Sequence, residues 1–194
     1  MAVEDRLRRI LDRRAAESSD YDLNPDIRLP PGRKLCPAAV LVPVWLRDDG
    51  PRVILTKRSS HLQHHPGQVA FPGGKIDPGD QSPEAAALRE SYEEIGLSAS
   101  SVTILGRMPT HETVTGFSVT PVLAVVAAGF VPVPEAGEVD EIFSIPLEHV
   151  LAAANFVVER RLWRGEWRRY YAVPWGPYYI WGATARMLRA LADG

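Results

Sequence analysis

Three glutamates, Glu90, Glu93 and Glu94, stand close together in the run Arg89-Glu90-Ser91-Tyr92-Glu93-Glu94-Ile95-Gly96-Leu97. On a helix, spacings of three and four residues bring all three carboxylates to one edge, where like charges repel. The only nearby cation is Arg89, spaced to pair with Glu93 one turn on. A divalent cation would relieve the repulsion, and clustered carboxylate oxygens are what Mg²⁺ or Mn²⁺ prefers. Three Glu on a helix also describe a solvated face, so the weight falls on the loop before them, Phe71-Pro72-Gly73-Gly74-Lys75-Ile76-Asp77-Pro78-Gly79-Asp80. Gly73 and Gly74 allow backbone conformations closed to other residues and let the chain approach a ligand closely. The loop lacks the Gly-x-x-x-x-Gly-Lys-Ser/Thr spacing of a phosphate cradle. Its chemistry would instead run through metal ions that bridge diphosphate oxygens, orient water and neutralise charge on the leaving phosphate.

These residues need a helix and a sheet to hold them. Ser82 is placed to cap a helix with Pro83 at its first position, Glu84 in its first turn and Gly96 at its stop. Upstream, the apolar, β-branched run 36–46 predicts a strand. Asp48-Asp49-Gly50-Pro51 predicts a turn, and residues 52–56 the returning strand of a hairpin. Residues 57–78 are rich in Gly, Pro and His and are interrupted by Val69-Ala70-Phe71. Further strands are expected over 101–107 and 117–128, and a short helix over 145–154 after Pro146. A hairpin about Arg164-Gly165 is expected within 156–173, and a last amphipathic helix over 179–191. This order is not a regular βαβ alternation. It predicts an α/β (α+β) fold, an α/β/α sandwich with a mixed sheet flanked by helices. Residues 3–17 predict an amphipathic helix, with Val3, Leu7, Ile10 and Leu11 on one side and five Arg on the other, lying over the core as an appendage. Residues 18–34 read as a surface linker. The expected organisation is therefore a helix and linker over 1–35 and a main domain over 36–194.

Composition narrows the function. The chain has 194 residues, 45% hydrophobic, enough for one domain with a sizeable core. A formal net charge of −2 argues against a general nucleic-acid or membrane-surface binder, and Glu4, Asp5, Asp12 and Glu17 interrupt the basic face of the first helix. Nineteen of the 22 basic residues are Arg, whose forks suit phosphate oxygens. Cys36 alone can form neither an internal disulfide nor a cysteine-based zinc site. No stretch reaches the length of a membrane span, and the first residues lack the apolar core of a signal peptide, so the expected location is the cytoplasm.

Residues 74–97 resemble the Nudix box, whose pattern is Gly, five residues, Glu, seven residues, Arg-Glu, an aliphatic residue, any residue, Glu-Glu, any residue, Gly and an aliphatic residue. Arg89, Glu90, Glu93, Glu94, Gly96 and Leu97 match. The spacing from Gly74 to Arg89 is one residue longer than the pattern, with Asp80 or Gln81 near its first Glu, and Ser91 replaces the aliphatic residue. The resemblance implies that Glu90, Glu93 and Glu94 are metal ligands for Mg²⁺ or Mn²⁺. It also implies that Gly74 shapes the loop and that Arg89 orients the acidic cluster.

A second run, Leu55-Thr56-Lys57-Arg58-Ser59 followed by Gly67-Gln68-Val69-Ala70-Phe71-Pro72-Gly73-Gly74, is similar to the signature upstream of the Nudix box in coenzyme A pyrophosphatases. Gln63 stands where that signature has a second Arg. Glu138-Val139-Asp140-Glu141-Ile142-Phe143 and Ile180-Trp181-Gly182-Ala183-Thr184-Ala185 are also compatible with that subfamily. The implied reaction is hydrolysis of the diphosphate of coenzyme A, or of its thioesters, to 4′-phosphopantetheine and adenosine 3′,5′-bisphosphate. NADH, ADP-ribose or another nucleoside diphosphate derivative is the alternative substrate, and a non-catalytic ligand-sensing module the alternative class.

The attacking water needs a base, for which Glu93 or Glu94 on the helix and Glu112, Glu138 or Glu141 in later segments are candidates. Arg58, Lys75, Gly73 and Gly74 are the candidate substrate contacts, with a loop salt bridge as the alternative for Arg58 and plain solvent exposure for Lys75. His61, His64, His65 and His111 lack zinc-site spacing and read as polar loop residues. Trp163, Trp167, Tyr170, Tyr171, Trp175, Tyr178, Tyr179 and Trp181 suit core packing, a homodimer face or a base-stacking wall.

Overall fold

The computed structural model describes residues 3–13, 16–27, 32–62, 66–163 and 165–193. Gln63, His64, His65, Arg164 and the side chain of Trp163, all named above, lie outside the described residues. The elements in chain order are α1 (Val3–Asp12), β1 (Ser18–Ser19), β2 (Cys36–Trp45), β3 (Arg52–Arg58), β4 (Val69–Ala70), β5 (Gly73–Lys75), α2 (Pro83–Ile95), β6 (Val102–Arg107), β7 (His111–Glu112), β8 (Phe117–Val126), β9 (Val139–Pro146), α3 (Leu147–Leu151), β10 (Val157–Trp163), β11 (Glu166–Ala172) and α4 (Gly182–Ala192).

β2 is the spine of a mixed sheet that takes in β1 to β9. Along one edge it runs parallel to β8 from Cys36↔Phe117 to Trp45↔Val126. Its other edge is divided. Val44 and Trp45 pair with Val53 and Arg52 of β3, whereas Ala38 to Val40 pair with β5. Pro43 explains where the ladder to β3 stops. The Leu41 N–H donates away from β8, to the carbonyl of Pro72, and the Leu46 N–H donates toward β8, to Val126. By the same alternation residue 43 would donate toward β3, and proline has no N–H to give. Beyond that point β2 and β3 splay. β4, paired with Thr56 and Lys57 of β3, crosses through Phe71-Pro72 to β5 on β2 and fills the gap.

Alternation along the central strands builds two cores. Val42, Val44, Val53, Leu55, Leu123 and Val125 face α1, α3 and α4, in a cluster that includes Leu7, Val150, Leu188 and Leu191. Ala39, Leu41, Ile54, Val122, Ala124 and Val126 face α2 through Ala86, Ala87 and Ile95. Each fully buried Leu or Ile in these layers contributes on the order of 2 kcal/mol. The result is the expected α/β/α sandwich with a mixed sheet.

The N-terminal part differs from its expected form. α1 ends at Asp12, and it is not a loose cover, because Leu7 has no exposed surface and sits in the larger core cluster. The segment after it joins the sheet, since β1 pairs parallel with β7. His111, read from sequence as a loop residue, is fully buried there. Its Nδ1 lies 2.9 Å from Ser18 Oγ and its Nε2 3.2 Å from Asp20 Oδ1, so it fastens the two strands. Residues 139–146 are the strand β9, paired with β3 along its length. The helix expected from residue 179 begins at Gly182, and the hairpin about residues 164–165 is β10 and β11, a separate two-stranded sheet.

Candidate active site

α2 begins and ends as its caps dictate. Ser82 Oγ accepts from the Ala85 N–H, Pro83 opens the first turn, and Gly96 closes the helix in the left-handed region at φ 70°. Ser91, in the aliphatic position of the box, is fully buried. Its hydroxyl donates to the Ala87 carbonyl at 2.6 Å, one turn back, which satisfies it within the helix. The helix packs against β2 and β5, so the glycine strand and the acidic edge face each other.

The two glycines serve different neighbours. A Cβ on Gly73, whose φ is +150°, would stand 2.4 Å from the Ala39 carbonyl oxygen and 2.5 Å from Val40 Cα, so β2 itself excludes a side chain there. A Cβ on Gly74 would stand 2.6 Å from the Glu90 carboxyl carbon. The Gly73 N–H donates to Glu94 Oε2 at 3.1 Å, while Glu94 Oε1 lies 3.9 Å from the guanidinium of Arg58 at the end of β3. Glu94 therefore bridges the splayed strands, one oxygen on β5 and the other facing β3.

Glu94 is 4% exposed, and burial is the main reason its carboxyl is pushed up to about 7; the Gly73 N–H and Arg58 oppose the rise, while Glu90 and Glu138 add to it. Glu90 is also raised by burial, against the pull of Arg89 and with Glu93 and Glu138 contributing. Glu138 reaches this cluster because its loop is tied to the end of α2. The Val133 N–H donates to the Ile95 carbonyl and the Glu135 N–H to that of Glu94. The Ser59 N–H donates to the Glu138 carbonyl at 2.8 Å, joining the loop to the segment that carries Arg58.

Arg89 spreads its donors over the outer side. Its Nε and one Nη bond both oxygens of Asp80 at 3.1 and 2.9 Å. Its other Nη bonds Glu90 at 2.9 Å and Glu93 at 3.2 Å, and the Lys75 carbonyl accepts at 3.2 Å. Asp80 is held below the usual carboxylate range by Arg89, and Arg89 is raised chiefly by Asp80. Asp80, in the lengthened part of the box, thus positions Arg89; only the fold reveals this, because loop and helix intervene between them.

Of the expected site residues, the structure brings together Glu90, Glu94, Gly73, Gly74, Arg58 and Arg89. Glu93 stands at the rim, its side chain 56% exposed and turned to Arg89, and the Lys75 side chain is exposed. Among the described residues no three His, Cys, Asp or Glu side chains form a ready-made metal-holding group. Glu90 and Glu94, two carboxylates raised chiefly by burial and only in part offset by Arg89, Arg58 and the Gly73 N–H, have the donor chemistry for a hard divalent cation. Bringing Glu93 in requires release from Arg89. Of the later glutamates, Glu112 is ion-paired with Arg33 and Glu141 accepts from the Tyr178 hydroxyl, leaving Glu138 as the one whose charge acts on Glu90 and Glu94.

A sandwich with a glycine strand laid against an acidic helix defines a class, and comparison with known proteins agrees. The family model described as NUDIX domain matches residues 37–166. The uncharacterized Nudix hydrolase NudL of Enterobacter sp. (strain 638) is 41% identical over 155 residues, 80% of each chain, and its namesake from Escherichia coli (strain K12) is 39% identical over the same share. Among solved structures, DR0079 from Deinococcus radiodurans superposes with a TM-score of 0.51 at 16% identity, covering 84% of this chain and 88% of that one. The Nudix hydrolase RenU of M. smegmatis gives 0.50 at 27% identity, covering 59% and 73%. The C. elegans Ap4A hydrolase gives 0.50 at 24% identity, covering 57% and 80%, a likeness of fold. The chain belongs to the Nudix hydrolase family, enzymes that act on pyrophosphate bonds. No helix among the described residues is long and apolar enough to cross a membrane.

Proposed function

We propose that this protein hydrolyses the diphosphate bond of coenzyme A, free or as a thioester, to 4′-phosphopantetheine and adenosine 3′,5′-bisphosphate. The observation that carries the reading is the contact of Glu94 with Gly73 and Arg58. It joins the Nudix box to the upstream signature that resembles the coenzyme A pyrophosphatases, so both motifs serve one site. Thr184, in the third stretch compatible with that subfamily, donates its hydroxyl to the Val69 carbonyl within the same signature. In this reading residues 36–194 are the catalytic unit, and α1 and β1, from the part before it, complete its packing.

Mg²⁺ or Mn²⁺, when bound, supplies the positive charge that draws the diphosphate oxygens and acidifies the attacking water. Glu90, Glu93 and Glu94 are the residues that would hold it. Arg58 stands ready to turn its guanidinium from Glu94 to a phosphate oxygen, and Gly73 and Gly74 let that phosphate approach the backbone. Lys75 meets the substrate from the open side. Arg89, fixed by Asp80, orients Glu90, and Glu93 joins the cluster when it leaves Arg89. Glu138, on a loop joined to both α2 and β3, is the base that takes the proton from water.

The test is incubation of the purified protein with coenzyme A, NADH and ADP-ribose separately, with Mg²⁺ or Mn²⁺ and with chelator, and identification of products by mass spectrometry. The expected result is metal-dependent release of 4′-phosphopantetheine and adenosine 3′,5′-bisphosphate in preference to the other cleavages. Preferential cleavage of NADH or ADP-ribose would discard the upstream signature as a substrate marker.

A further inference from the structure

The geometry points to β10 as a self-complementary edge through which two copies of this chain associate. β10 and β11 form a hairpin outside the main sheet, and residues 157–162 of β10 are all exposed. The outer edge of β11 is closed, because Asn24 accepts from the Arg169 N–H at 2.8 Å and donates to the Arg169 carbonyl at 2.9 Å. Those two bonds fix the parity of the hairpin. Arg169 is opposite Arg160, so if the backbone of Arg169 points outward, that of Arg160 points outward on the other side. The N–H and C=O groups of Val158, Arg160 and Leu162 therefore face the open edge, and among the described residues no backbone group pairs with them. The strand has no proline or bulge to blunt such an edge, and its charged residues, Glu159, Arg160 and Arg161, stand in an order that can pair with itself.

The occupant is specified by the strand's own order, Val157-Val158-Glu159-Arg160-Arg161-Leu162-Trp163. An antiparallel pairing of β10 with β10 of a second copy, about a two-fold axis at Arg160, uses the outward groups of residues 158, 160 and 162 on both strands. In that register Val158 faces Leu162 of the second copy, and Glu159 faces Arg161, each pair occurring twice. Val158 and Leu162, 52% and 54% exposed in the single chain, cover one another across the strands. Opposite charges meet on the other face, where within one chain Glu159 accepts from the Tyr179 hydroxyl at 2.9 Å and the Arg161 guanidinium lies over the Trp181 ring, contacts that still leave each a free side toward the second copy. The two Arg160 side chains at the axis are of like charge, and each is drawn back over its own Trp167, with the guanidinium carbon 4.8 Å from the ring centroid. The outcome is one four-stranded sheet across two molecules. An edge this short buries less than the roughly 1,600 Å² of a standard interface, so the association is concentration-dependent.

The charges make the test selective. Glu159→Arg places Arg opposite Arg at both positions of its own dimer, and Arg161→Glu places Glu opposite Glu. Sedimentation equilibrium of each variant alone should show association weakened about tenfold or more relative to the unaltered protein. In an equimolar mixture of the two variants, each 159–161 contact between unlike copies again joins opposite charges, and the mixture should associate as the unaltered protein does. The double variant Glu159→Arg, Arg161→Glu should also recover. Circular dichroism and diphosphate hydrolysis by each variant establish that the single variants fold. A monomer at every concentration up to about 1 mM, or association that neither single variant weakens, would overturn the proposal. So would failure of the mixture and the double variant to recover it.

Discussion

The Gly74 backbone lies so close beneath Glu90 that a methyl group on residue 74 would stand 2.6 Å from its carboxyl carbon, whereas one on Gly73 would strike the backbone of β2. Adjacent glycines therefore protect different things. Gly74→Ala can be relieved by rotation of a side-chain tip, and the fold should lose no more than about 1 kcal/mol. The displaced Glu90 should lower turnover roughly 10²-fold with a higher metal requirement. Gly73→Ala meets atoms that cannot rotate away, at a φ that side chains disfavour, and should destabilise the fold by roughly 2–4 kcal/mol. Urea denaturation beside a metal titration of activity separates the two; equal stability losses would contradict the assignment.

Glu94→Gln should reduce turnover roughly 10²-fold or more while leaving the fold intact. The same variant reports on pH. In the folded, metal-free protein the Glu94 carboxyl titrates near 7, against 4.5 ordinarily, so between these values the folded state holds a proton that the unfolded chain has lost. Its contribution is complete below about 4.5 and is lost as pH rises through about 7, by on the order of 3 kcal/mol. Unfolding of the chelator-treated protein should show this decline, and Glu94→Gln should flatten it. An unchanged slope in the variant would place the titration elsewhere.

Leu7→Ala should cost roughly 2–4 kcal/mol, because it empties a site in the larger core. A helix that merely covered the surface would lose much less, so a midpoint shift in urea equivalent to under about 1 kcal/mol would return α1 to that role.

Ser91→Ala should leave stability within about 1 kcal/mol and activity unchanged, since the hydroxyl bonds only its own helix. A large loss of turnover at constant stability would reveal a part in the chemistry.

Features governed by neighbours in the chain were legible in the sequence. The caps of α2 are local bonds, so Ser82, Pro83 and Gly96 marked them correctly. Turn residues likewise marked both hairpins. What depended on pairing was hidden. Pro43 is visible in the sequence, but the edge on which its missing N–H falls is set only once β8 has taken the other edge. The clamp of Asp80 on Arg89, the approach of Glu138 and the closure of β1 on β7 through His111 are contacts made by the fold. Helical spacing placed Glu93 beside Glu90 and Glu94, yet the pull of Arg89 draws it to the rim.

The splay of β2 from β3 has a kinetic consequence. Because β4 and β5 are stitched into both strands, Gly73 and Gly74 belong to the sheet and not to a loop that opens by itself. The Gly74 amide, paired with Ala39, should exchange with solvent only in openings that also release central sheet amides such as Leu41, near the global unfolding free energy, whereas the Gly73 amide, held by the Glu94 carboxylate, is freed by movement of that side chain. On dilution from denaturant, recovery of catalysis should then coincide with formation of the sheet, with no inactive native-like species before it.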